Sequence, residues 1–177
     1  MKFIDCTLEQ HGEAILAILN DAIVNSTALY DYRPRTMANM KTWFAVKQEG
    51  LNGKPFPVVG LVNEADELMG FSSYGPFRNF PAYKYTIEHS IYVHSAHRGK
   101  GLGKQLLQTI VERARQQNYH TLIGAIDAAN EASIALHEQQ GFMLCGIVKQ
   151  AGFKFGRWLD LAFYQRVLET PAEPADG

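Results

Sequence analysis

The sequence predicts a single α/β domain in which helices flank a mixed, mostly antiparallel sheet. The chain has 177 residues, a length that suits one domain with a substantial hydrophobic core. Apolar residues recur both at helical spacing and in short strand-like runs along the whole sequence. Neither an internal repeat nor a flexible linker divides the chain. We therefore expect one domain over residues 1–170 and a flexible polar tail over residues 171–177.

Composition and charge argue against several classes of function. The chain has 17 Lys and Arg against 18 Asp and Glu, a net charge of −1, so no overall charge attracts nucleic acid or an acidic membrane. The N-terminus has no apolar signal region, and no run approaches the roughly 18 apolar residues that a membrane helix needs. Cys6 and Cys145 form no CxxC pair, and we expect two buried thiols in a reducing compartment. These features predict a cytoplasmic protein without a nucleic-acid or membrane partner.

Four segments have the apolar spacing of amphipathic helices. Thr7-Leu8-Glu9-Gln10 has the form of a capping box before the first helix. The second runs from Thr36 to about Gln48, the third follows a glycine-rich run, and the fourth spans Ala132 to Gln139 before a stop at Gly141. The predicted core stripes of the first three helices are Ile15, Ile18, Leu19, Ala22 and Ile23; Met37, Met40, Trp43 and Phe44; and Leu102, Leu106, Leu107, Ile110, Val111 and Ala114.

Six segments are predicted strands, bounded by turn residues. They span residues 57–62, 68–74, 83–93, 119–126, 142–148 and 158–167. The first two form a hairpin around a polar turn at residues 63–66. Side chains alternate along the third strand. One face carries Ile87, His89, Ile91 and Val93, and the other carries Glu88, Ser90 and Tyr92.

The most specific functional motif is the run Arg98-Gly99-Lys100-Gly101-Leu102-Gly103, between a predicted strand and a predicted helix. Glycine lets a ligand approach the backbone, and the unpaired amides and dipole of a helix N-terminus favour an anion. Arg98, Lys100 and Lys104 add positive charge. The run lacks the GK[ST] ending of a P-loop, and its G-x-G-x-G spacing and late position do not fit a Rossmann fingerprint. A diphosphate site is indicated, with a tight turn bearing solvent-facing basic residues as the alternative.

This R-x-x-G-x-G pattern resembles the pyrophosphate loop of the GNAT superfamily of N-acetyltransferases, where the diphosphate of coenzyme A lies. From residue 83 to residue 168 the chain is similar to the phosphinothricin acetyltransferase group, which includes the methionine sulfoximine and methionine sulfone acetyltransferases. The residues that show this resemblance are Glu88–Val93, His97–Gly103, Asn130–Ser133, Leu136–Glu138 and Gly152–Asp160. The last of these segments is the most specific to the group.

The resemblance implies direct transfer of an acetyl group from acetyl-CoA to a primary amine in a ternary complex. The amine must lose a proton, an oxyanion must be stabilised, and the departing thiolate gains from a nearby acid. Glu88 is the expected base, directly or through water, because a carboxylate inside an apolar strand is costly without a task or a partner. An arginine ion pair is its alternative. His137 would protonate the thiolate or help activate the amine, with a solvated helix histidine as the alternative.

The resemblance also implies a cofactor site. Backbone groups of residues 91–93 would hold the pantetheine arm, and one amide would polarise the thioester carbonyl. Asn130 would hydrogen-bond the same arm, with simple helix capping as its alternative. The expected cofactor-binding residues are Ile91, Tyr92, Val93, Arg98, Gly99, Lys100, Gly101, Leu102, Gly103, Lys104, Asn130 and Ser133.

The acceptor is expected beside the loop that precedes the third strand. The guanidinium fork of Arg78 matches a carboxylate or phosphinate, although an exposed loop arginine is the alternative. Phe77, Phe80, Tyr83 and Trp158 suggest a closed aromatic pocket, which suits a small molecule better than a peptide. The expected substrate-binding residues are Arg78, Asn79, Phe80, Glu88, His89 and Ser90.

The predicted function is N-acetylation of a small amino-acid analogue, namely phosphinothricin, methionine sulfoximine or methionine sulfone, which would detoxify such compounds and give herbicide resistance. The alternatives are another amine or a peptide N-terminus, and a non-catalytic acetyl-CoA sensor, which needs neither Glu88 nor His137. His89, His94 and His97 straddle a strand and its turn, so we expect no metal site. The resemblance further implies a homodimer, with the aromatic segment 153–163 at its interface.

Overall fold

A computed structural model of the chain describes residues 1–51 and 53–176. Its elements are β1 Lys2–Asp5, α1 Leu8–Asn25, α2 Met37–Glu49, β2 Val58–Val62, β3 Leu68–Pro76, β4 Thr86–Val93, α3 Leu102–Gln116, β5 Thr121–Asp127, α4 Glu131–Gln139, β6 Met143–Lys154 and β7 Arg157–Val167. The strands form one sheet in the order β1-β2-β3-β4-β5-β7-β6. Neighbouring strands are antiparallel except β4 and β5, which are parallel. The predicted α/β domain with a mixed, mostly antiparallel sheet is confirmed.

The predicted apolar stripes form the buried faces of the helices. All the predicted stripe residues of α1 and α3 are buried, and Met40 and Phe44 are buried on α2. Val58 packs with α1 and α2, whereas its neighbour Val59 packs with α3. Because adjacent strand residues point to opposite faces of a sheet, α1 and α2 cover one face and α3 the other.

Three strands differ most from the sequence-based predictions. β1 was not predicted, because a four-residue edge strand whose side chains are mostly exposed has no periodic apolar pattern. The predicted strand 83–93 begins only at Thr86, since a 3₁₀ turn occupies Pro81–Tyr83. β6 runs to Lys154 instead of ending at residue 148. The prediction of strand 142–148 was therefore too short.

The extension of β6 depends on an irregularity that Asp160 stabilises. The pairing of β6 with β7 shifts register between Val148 and Gly152, and Gln150 has a φ of 53°. The Asp160 carboxylate accepts hydrogen bonds from the Gln150 amide at 2.8 Å and from Lys149 Nζ at 2.9 Å. These hydrogen bonds lower the pKa of Asp160. The segment 152–160 that the sequence marks as distinctive is therefore the end of a hairpin.

Other sequence-based expectations concern the thiols and the two ends of the chain. Cys6 is partly buried but Cys145 is exposed on the edge strand β6, so the expectation of two buried thiols is wrong for Cys145. Residues 171–176 have no regular structure, although the Ala175 amide donates to the Tyr85 hydroxyl at 3.2 Å. Gly177, the last residue of the predicted tail, lies outside the described residues. None of the described helices is long and apolar enough to cross a membrane.

Candidate active site

The separation of two parallel strands opens a cavity in the middle of the sheet. β4 and β5 pair from Thr86↔Thr121 to Glu88↔Ile123, and each then continues beyond that pairing. A cavity of about 630 Å³ lies between the diverging strands, the first turn of α3, the helix α4 and the loop that follows α1. Because backbone groups of β4 face the cavity where no strand pairs with them, a ligand can hydrogen-bond to them there.

One end of the cavity is the predicted diphosphate site. Gly99 and Gly101 both have a φ of 75°, in the left-handed region that favours glycine, and a Cβ on either would meet no atom within 4 Å. Gly101 is the N-cap of α3 and makes no side-chain cap bond, so the first amides of this helix are available to an anion. Leu102 and Gly103 also line the cavity. The turn therefore has the open backbone and the dipole that a diphosphate requires.

The basic side chains around this turn are partly engaged by the protein. Arg98 lines the cavity, donates to Asp21 of α1 at 2.9 Å and donates through Nε to the Val93 carbonyl at 3.2 Å. Lys100 donates to the Ala96 carbonyl at 3.4 Å. Lys100 and Lys104 are not among the residues that line the cavity. The charge of Arg98 thus also ties α1 to the end of β4.

The predicted pantetheine residues line the middle of the cavity. On one side, β4 pairs with β3 through Ile91, Tyr92 and Val93. On the other side, the pairing of β4 with β5 ends at Glu88, so these three residues face the cavity there. Asn130 and Ser133 also line the cavity, and the Asn130 side chain accepts the Ser133 amide at 3.1 Å. Asn130 therefore caps α4, which was its alternative role, at the wall of the cavity.

Glu88 lies half-buried in the cavity wall. Burial raises the pKa of this carboxyl group, and the positive charge of Arg78 partly offsets that effect. Within the described part of the chain, no cationic nitrogen lies within the 4.0 Å that would define an ion pair with Glu88. The alternative of a structural arginine pair is therefore wrong, and the carboxylate is free to contact a ligand.

His137 is buried, so the alternative of a solvated helix histidine is wrong. Its Nε2 lies 2.9 Å from Nε2 of His89, and its Nδ1 lies 2.7 Å from the Ser133 carbonyl oxygen. Both imidazoles line the cavity and pack against Phe142. Burial lowers the pKa of His137, while burial and the charge of His137 lower the pKa of His89 to about 3. Both rings are therefore neutral near pH 7.

The loop between α1 and α2 forms a wall that the sequence did not reveal. Residues 27–30 line the cavity. The buried Lys154 ammonium donates to the carbonyls of Ile23 at 2.6 Å, Ser26 at 2.9 Å and Leu29 at 2.6 Å. Tyr32 donates to the Phe153 carbonyl at 2.7 Å. The end of the β6–β7 hairpin therefore holds this loop in place.

Asp127 joins the same loop to the end of β5. It is buried and lines the cavity, and its carboxylate accepts hydrogen bonds from the Thr27 hydroxyl, from the Ala129 amide at 3.0 Å and from Arg157 at 3.4 Å. The only sequence signal for this arrangement was that Lys154 and Arg157 both lie in the distinctive segment 152–160.

The predicted acceptor residues fall into two groups. Ser90 and His89 line the cavity beside Glu88, whereas Arg78, Asn79 and Phe80 are exposed and outside its lining. The Arg78 guanidinium lies 4.2 Å from the centre of the Phe77 ring and donates to the Phe77 carbonyl at 2.8 Å. Arg78 is nevertheless close enough to Glu88 for its charge to lower the pKa of that group.

The four aromatic residues of the predicted pocket do not form one closed pocket within this chain. Phe77 packs edge-on against Tyr83 and Phe163, Phe80 is 71% exposed, and Trp158 packs against Phe153 on the β6–β7 hairpin. This prediction was wrong because Phe77 and Tyr83 pack together before β4, whereas Trp158 lies on β7 and packs against its hairpin neighbour Phe153. Of the three histidines near the end of β4, His94 and His97 pack with their rings tilted at 53°, whereas His89 contacts His137. The described residues contain no group of three or more His, Cys, Asp or Glu side chains placed to hold a metal ion.

Comparison with known proteins identifies the class. The model of the acetyltransferase (GNAT) family matches residues 15–142, so the chain belongs to the GNAT acetyltransferase family. An L-methionine sulfoximine/L-methionine sulfone acetyltransferase of Pseudomonas aeruginosa is 45% identical over 155 residues, which is 88% of each chain. These matches confirm the predicted family and enzyme class.

Two crystal structures resemble the whole chain. A phosphinothricin acetyltransferase from Sinorhizobium meliloti in complex with acetyl-CoA has a TM-score of 0.91 and 36% identity, over 99% of this chain and 94% of that one. A ribosomal-protein-alanine N-acetyltransferase from Brucella melitensis has a TM-score of 0.89 and 42% identity, over 95% of this chain and 100% of that one.

Proposed function

We propose that this chain transfers the acetyl group of acetyl-CoA to the α-amino group of a small amino-acid analogue, such as methionine sulfoximine, methionine sulfone or phosphinothricin. The observation that carries the proposal is that one cavity joins an open diphosphate turn to Glu88, a half-buried carboxylate that forms no ion pair within residues 1–51 and 53–176. The names of the relatives with methionine sulfoximine and phosphinothricin activity support the substrate class.

The residues of the turn fit the coenzyme. Acetyl-CoA supplies the reactive thioester, and the complex of the Sinorhizobium relative with acetyl-CoA supports it as the co-substrate. Gly99, Gly101 and the first amides of α3 would bind its diphosphate. Backbone groups of residues 91–93 would bind the pantetheine, and one of their amides would polarise the thioester carbonyl.

Glu88 would take the proton of the incoming amine. An ammonium ion is not a nucleophile, and a base near neutral pKa serves a reaction at neutral pH well. Burial raises the pKa of Glu88 toward that range, so the carboxylate holds a proton more readily than an exposed one. Ser90 lies two residues further along the strand in the same wall and would contact the acceptor.

Arg78 is the proposed partner of the acceptor carboxylate. Its guanidinium contacts only the ring and carbonyl of Phe77 among its described hydrogen-bond and ring partners, and the side chain is exposed. A bidentate contact with a carboxylate is stronger than either. Asn79 and Phe80 lie beside it in the same loop and would contact the acceptor with it.

Release of the coenzyme A thiol from acetyl-CoA with a panel of amines tests this proposal. Glu88→Gln should lower kcat about 10²- to 10⁴-fold, the usual contribution of general-base catalysis, without weakening acetyl-CoA binding. Arg78→Ala should mainly raise the amino-acid KM. Glu49→Gln, an exposed residue at the end of α2, is the matched control. Tight acetyl-CoA binding without turnover of any amine would instead favour a sensor.

A peptide N-terminus is the second candidate acceptor. The Brucella relative, named a ribosomal-protein-alanine N-acetyltransferase, favours it. The absence of a closed aromatic pocket in this chain also removes one argument against a peptide. A direct comparison of kcat/KM for methionine sulfone and for a peptide that begins with alanine separates the two. A higher value for the peptide would overturn the small-molecule proposal.

We also propose a homodimer that covers the edge strand β6. Met143, Leu144, Ile147 and Val148 are 43% to 66% exposed there. An exposed apolar edge strand with unpaired backbone groups is a site for association. Light scattering should give twice the 19.8 kDa chain mass, and Ile147→Lys should reduce it to one chain. A monomeric wild type would contradict this proposal.

The cellular role follows from the substrate. We propose a cytoplasmic enzyme, without a nucleic-acid or membrane partner, that detoxifies such analogues and thereby gives herbicide resistance. Expression should let a sensitive bacterium grow on phosphinothricin or methionine sulfoximine, while the Glu88→Gln variant should not. Cell fractionation checks the location. Equal growth of cells that express the wild type and cells that express the Glu88→Gln variant would contradict the role.

A further inference from the structure

Two neutral imidazoles meet in the wall of the cavity. His89 lies on β4 and His137 on the last turn of α4, and their rings stack with centroids 5.2 Å apart at an angle of 30°. Gly124 on β5 lies against both rings, since a Cβ there would come within 3.1 Å of His89 and 3.3 Å of His137. The two rings are therefore packed closely against each other and against β5.

The partners of the four ring nitrogens decide where the two protons lie. The Ser133 carbonyl can only accept, so Nδ1 of His137, 2.7 Å away, must carry a proton. A neutral His137 then has a lone pair on Nε2. The contact of 2.9 Å between the two Nε2 atoms therefore requires that His89 donates its own Nε2 proton.

The remaining nitrogen agrees with this assignment. Nδ1 of His89 is the one buried side-chain nitrogen or oxygen without a hydrogen-bond partner in residues 1–51 and 53–176. In the assigned tautomer Nδ1 of His89 has a lone pair and no proton, and buried acceptors lack partners more often than buried donors do. The opposite tautomer of His89 would bring two lone pairs together at 2.9 Å.

We propose that His89 is a positioning residue that fixes His137 in the Nδ1–H tautomer and occupies its Nε2. His137 then remains neutral in the cavity wall during the reaction, and Glu88 is the residue that takes the proton of the amine. This inference rests on the proposed acetyltransferase function and narrows it, because the sequence left open whether His137 protonates the thiolate or activates the amine.

The surroundings of the pair favour the neutral state of both rings. A further proton on Nε2 of His137 would set two N–H groups against each other across 2.9 Å. The neighbours are the Phe142 ring, the Gly124 backbone, the Ile123 backbone near His89 and the Ser133 backbone at His137. Among the described residues, no carboxylate is among the groups that shift the pKa of either ring, so none favours the imidazolium; the Ile123 and Ser133 backbones favour it, but burial outweighs them. Glu88 is adjacent in sequence but belongs to the opposite face of β4.

Nitrogen NMR of the ¹⁵N-histidine-labelled protein tests the proposal without any turnover. At pH 7 we expect the Nδ1–H tautomer for His137 and the Nε2–H tautomer for His89, with the ring of His137 titrating below its ordinary pKa. Spectra of the variants assign the signals. An Nε2–H tautomer of His137, or its titration near the ordinary pKa of about 6.5, would overturn the proposal.

Two substitutions of His89 separate positioning from simple packing. His89→Gln keeps an N–H donor that can reach His137, whereas His89→Leu keeps apolar bulk without a donor. The leucine variant should free Nε2 of His137, raise its pKa toward about 6.5 and add that ionisation to the pH profile of kcat/KM. The glutamine variant should keep the wild-type profile. Equal profiles would show that His89 only fills space. If neither variant folds, the NMR spectra of the wild type still test the tautomer of His137. If the wild type acetylates no amine, only the proposed function is contradicted, because the tautomers are measured without turnover.

Discussion

The two ends of the cavity are built in different ways. The proposed coenzyme end, which comprises residues 91–103 with the first turn of α3, consists of residues that are neighbours in sequence. The proposed acceptor end, which comprises residues 27–30, Glu88 and Asp127, is assembled from distant segments. Lys154 and the carbonyl of Ile23 are 131 residues apart, and Thr27 and Asp127 are 100 residues apart. Local backbone geometry creates the first end, and tertiary packing creates the second.

This difference predicts which changes affect which ligand. A change at Gly99 or Gly101 of the proposed coenzyme end should weaken acetyl-CoA binding at a small cost in stability, because a side chain there meets no described atom within 4 Å. A change in the β6–β7 hairpin should reduce stability and impair acceptor binding together, because the loop at residues 27–30 has few other anchors. Four substitutions test the comparison, in order of their expected effect on stability.

Lys154→Met should have the largest effect. It leaves the carbonyls of Ile23, Ser26 and Leu29 without the ammonium that they share. An unsatisfied buried group costs about 1–3 kcal/mol, so the free energy of unfolding should fall by about 3–5 kcal/mol. Urea unfolding measures this loss, and the KM for methionine sulfone should rise while the Kd for acetyl-CoA stays constant.

Lys149→Met is the matched control for that substitution. Lys149 lies on the same strand, but it is exposed and bonds only Asp160. Surface ion pairs contribute about 0–1 kcal/mol, so this variant should remain close to the wild type. Equal losses in the two variants would remove the special role of Lys154.

Gly152→Ala should have the second largest effect. A Cβ at Gly152 would lie 2.7 Å from the Tyr30 ring, at the edge of the loop that lines the cavity. Overpacking of this kind costs about 1–3 kcal/mol, and here it would displace the loop and raise the acceptor KM. Gly146→Ala on the same strand is the control, because its Cβ would meet no atom within 4 Å. Thermal unfolding and acceptor KM should separate the two variants.

Gly101→Ala should reduce stability by about 1–2 kcal/mol, the cost of a left-handed residue with a Cβ. The new methyl group would project into the open space where the diphosphate is proposed to bind. Titration calorimetry should show weaker acetyl-CoA binding and an unchanged acceptor KM. Gly53→Ala has the same backbone cost at a φ of 73° with no contact within 4 Å, and it should leave acetyl-CoA binding intact. Weaker binding in both variants would contradict the assignment.

Glu88→Gln should have the smallest effect on stability and a favourable one. A carboxyl group with a raised pKa in the folded protein destabilises the fold as the pH rises through that pKa. The variant should therefore be slightly more stable than the wild type at pH 7, by less than about 1 kcal/mol, and equally stable below the ordinary pKa of about 4.3. Unfolding curves at both pH values check this, and a less stable variant at pH 7 would contradict it.

The wild-type activity should show the same ionisation. The carboxylate form of Glu88 is the proposed base, so kcat/KM should fall as the pH falls through its raised pKa. A fall that begins only near the ordinary pKa of about 4.3 would show that burial does not tune this group.

Several features could be predicted because they depend on residues close in sequence. The core stripe of α3 follows from 3.6-residue periodicity. The tight turn at Gly99 and Gly101 follows from the preference of glycine for the left-handed backbone that both residues adopt. Glu88 stood out because it is a carboxylate in the middle of an apolar strand. By contrast, the contact between His89 and His137 joins residues 48 apart in sequence. A spacing rule contains no information on such a pair.

The sequence by itself determined the family, the glycine turn proposed for the coenzyme and the candidate base, since glycine geometry and strand alternation are local properties. Tertiary structure alone decided that Lys154 anchors the α1–α2 loop, that Asp127 joins this loop to β5, and that His89 engages His137. The physical reason is that a buried polar group must find a hydrogen-bond partner wherever the fold brings one near. The sheet order, which sets β5 between β4 and β7, selects those partners.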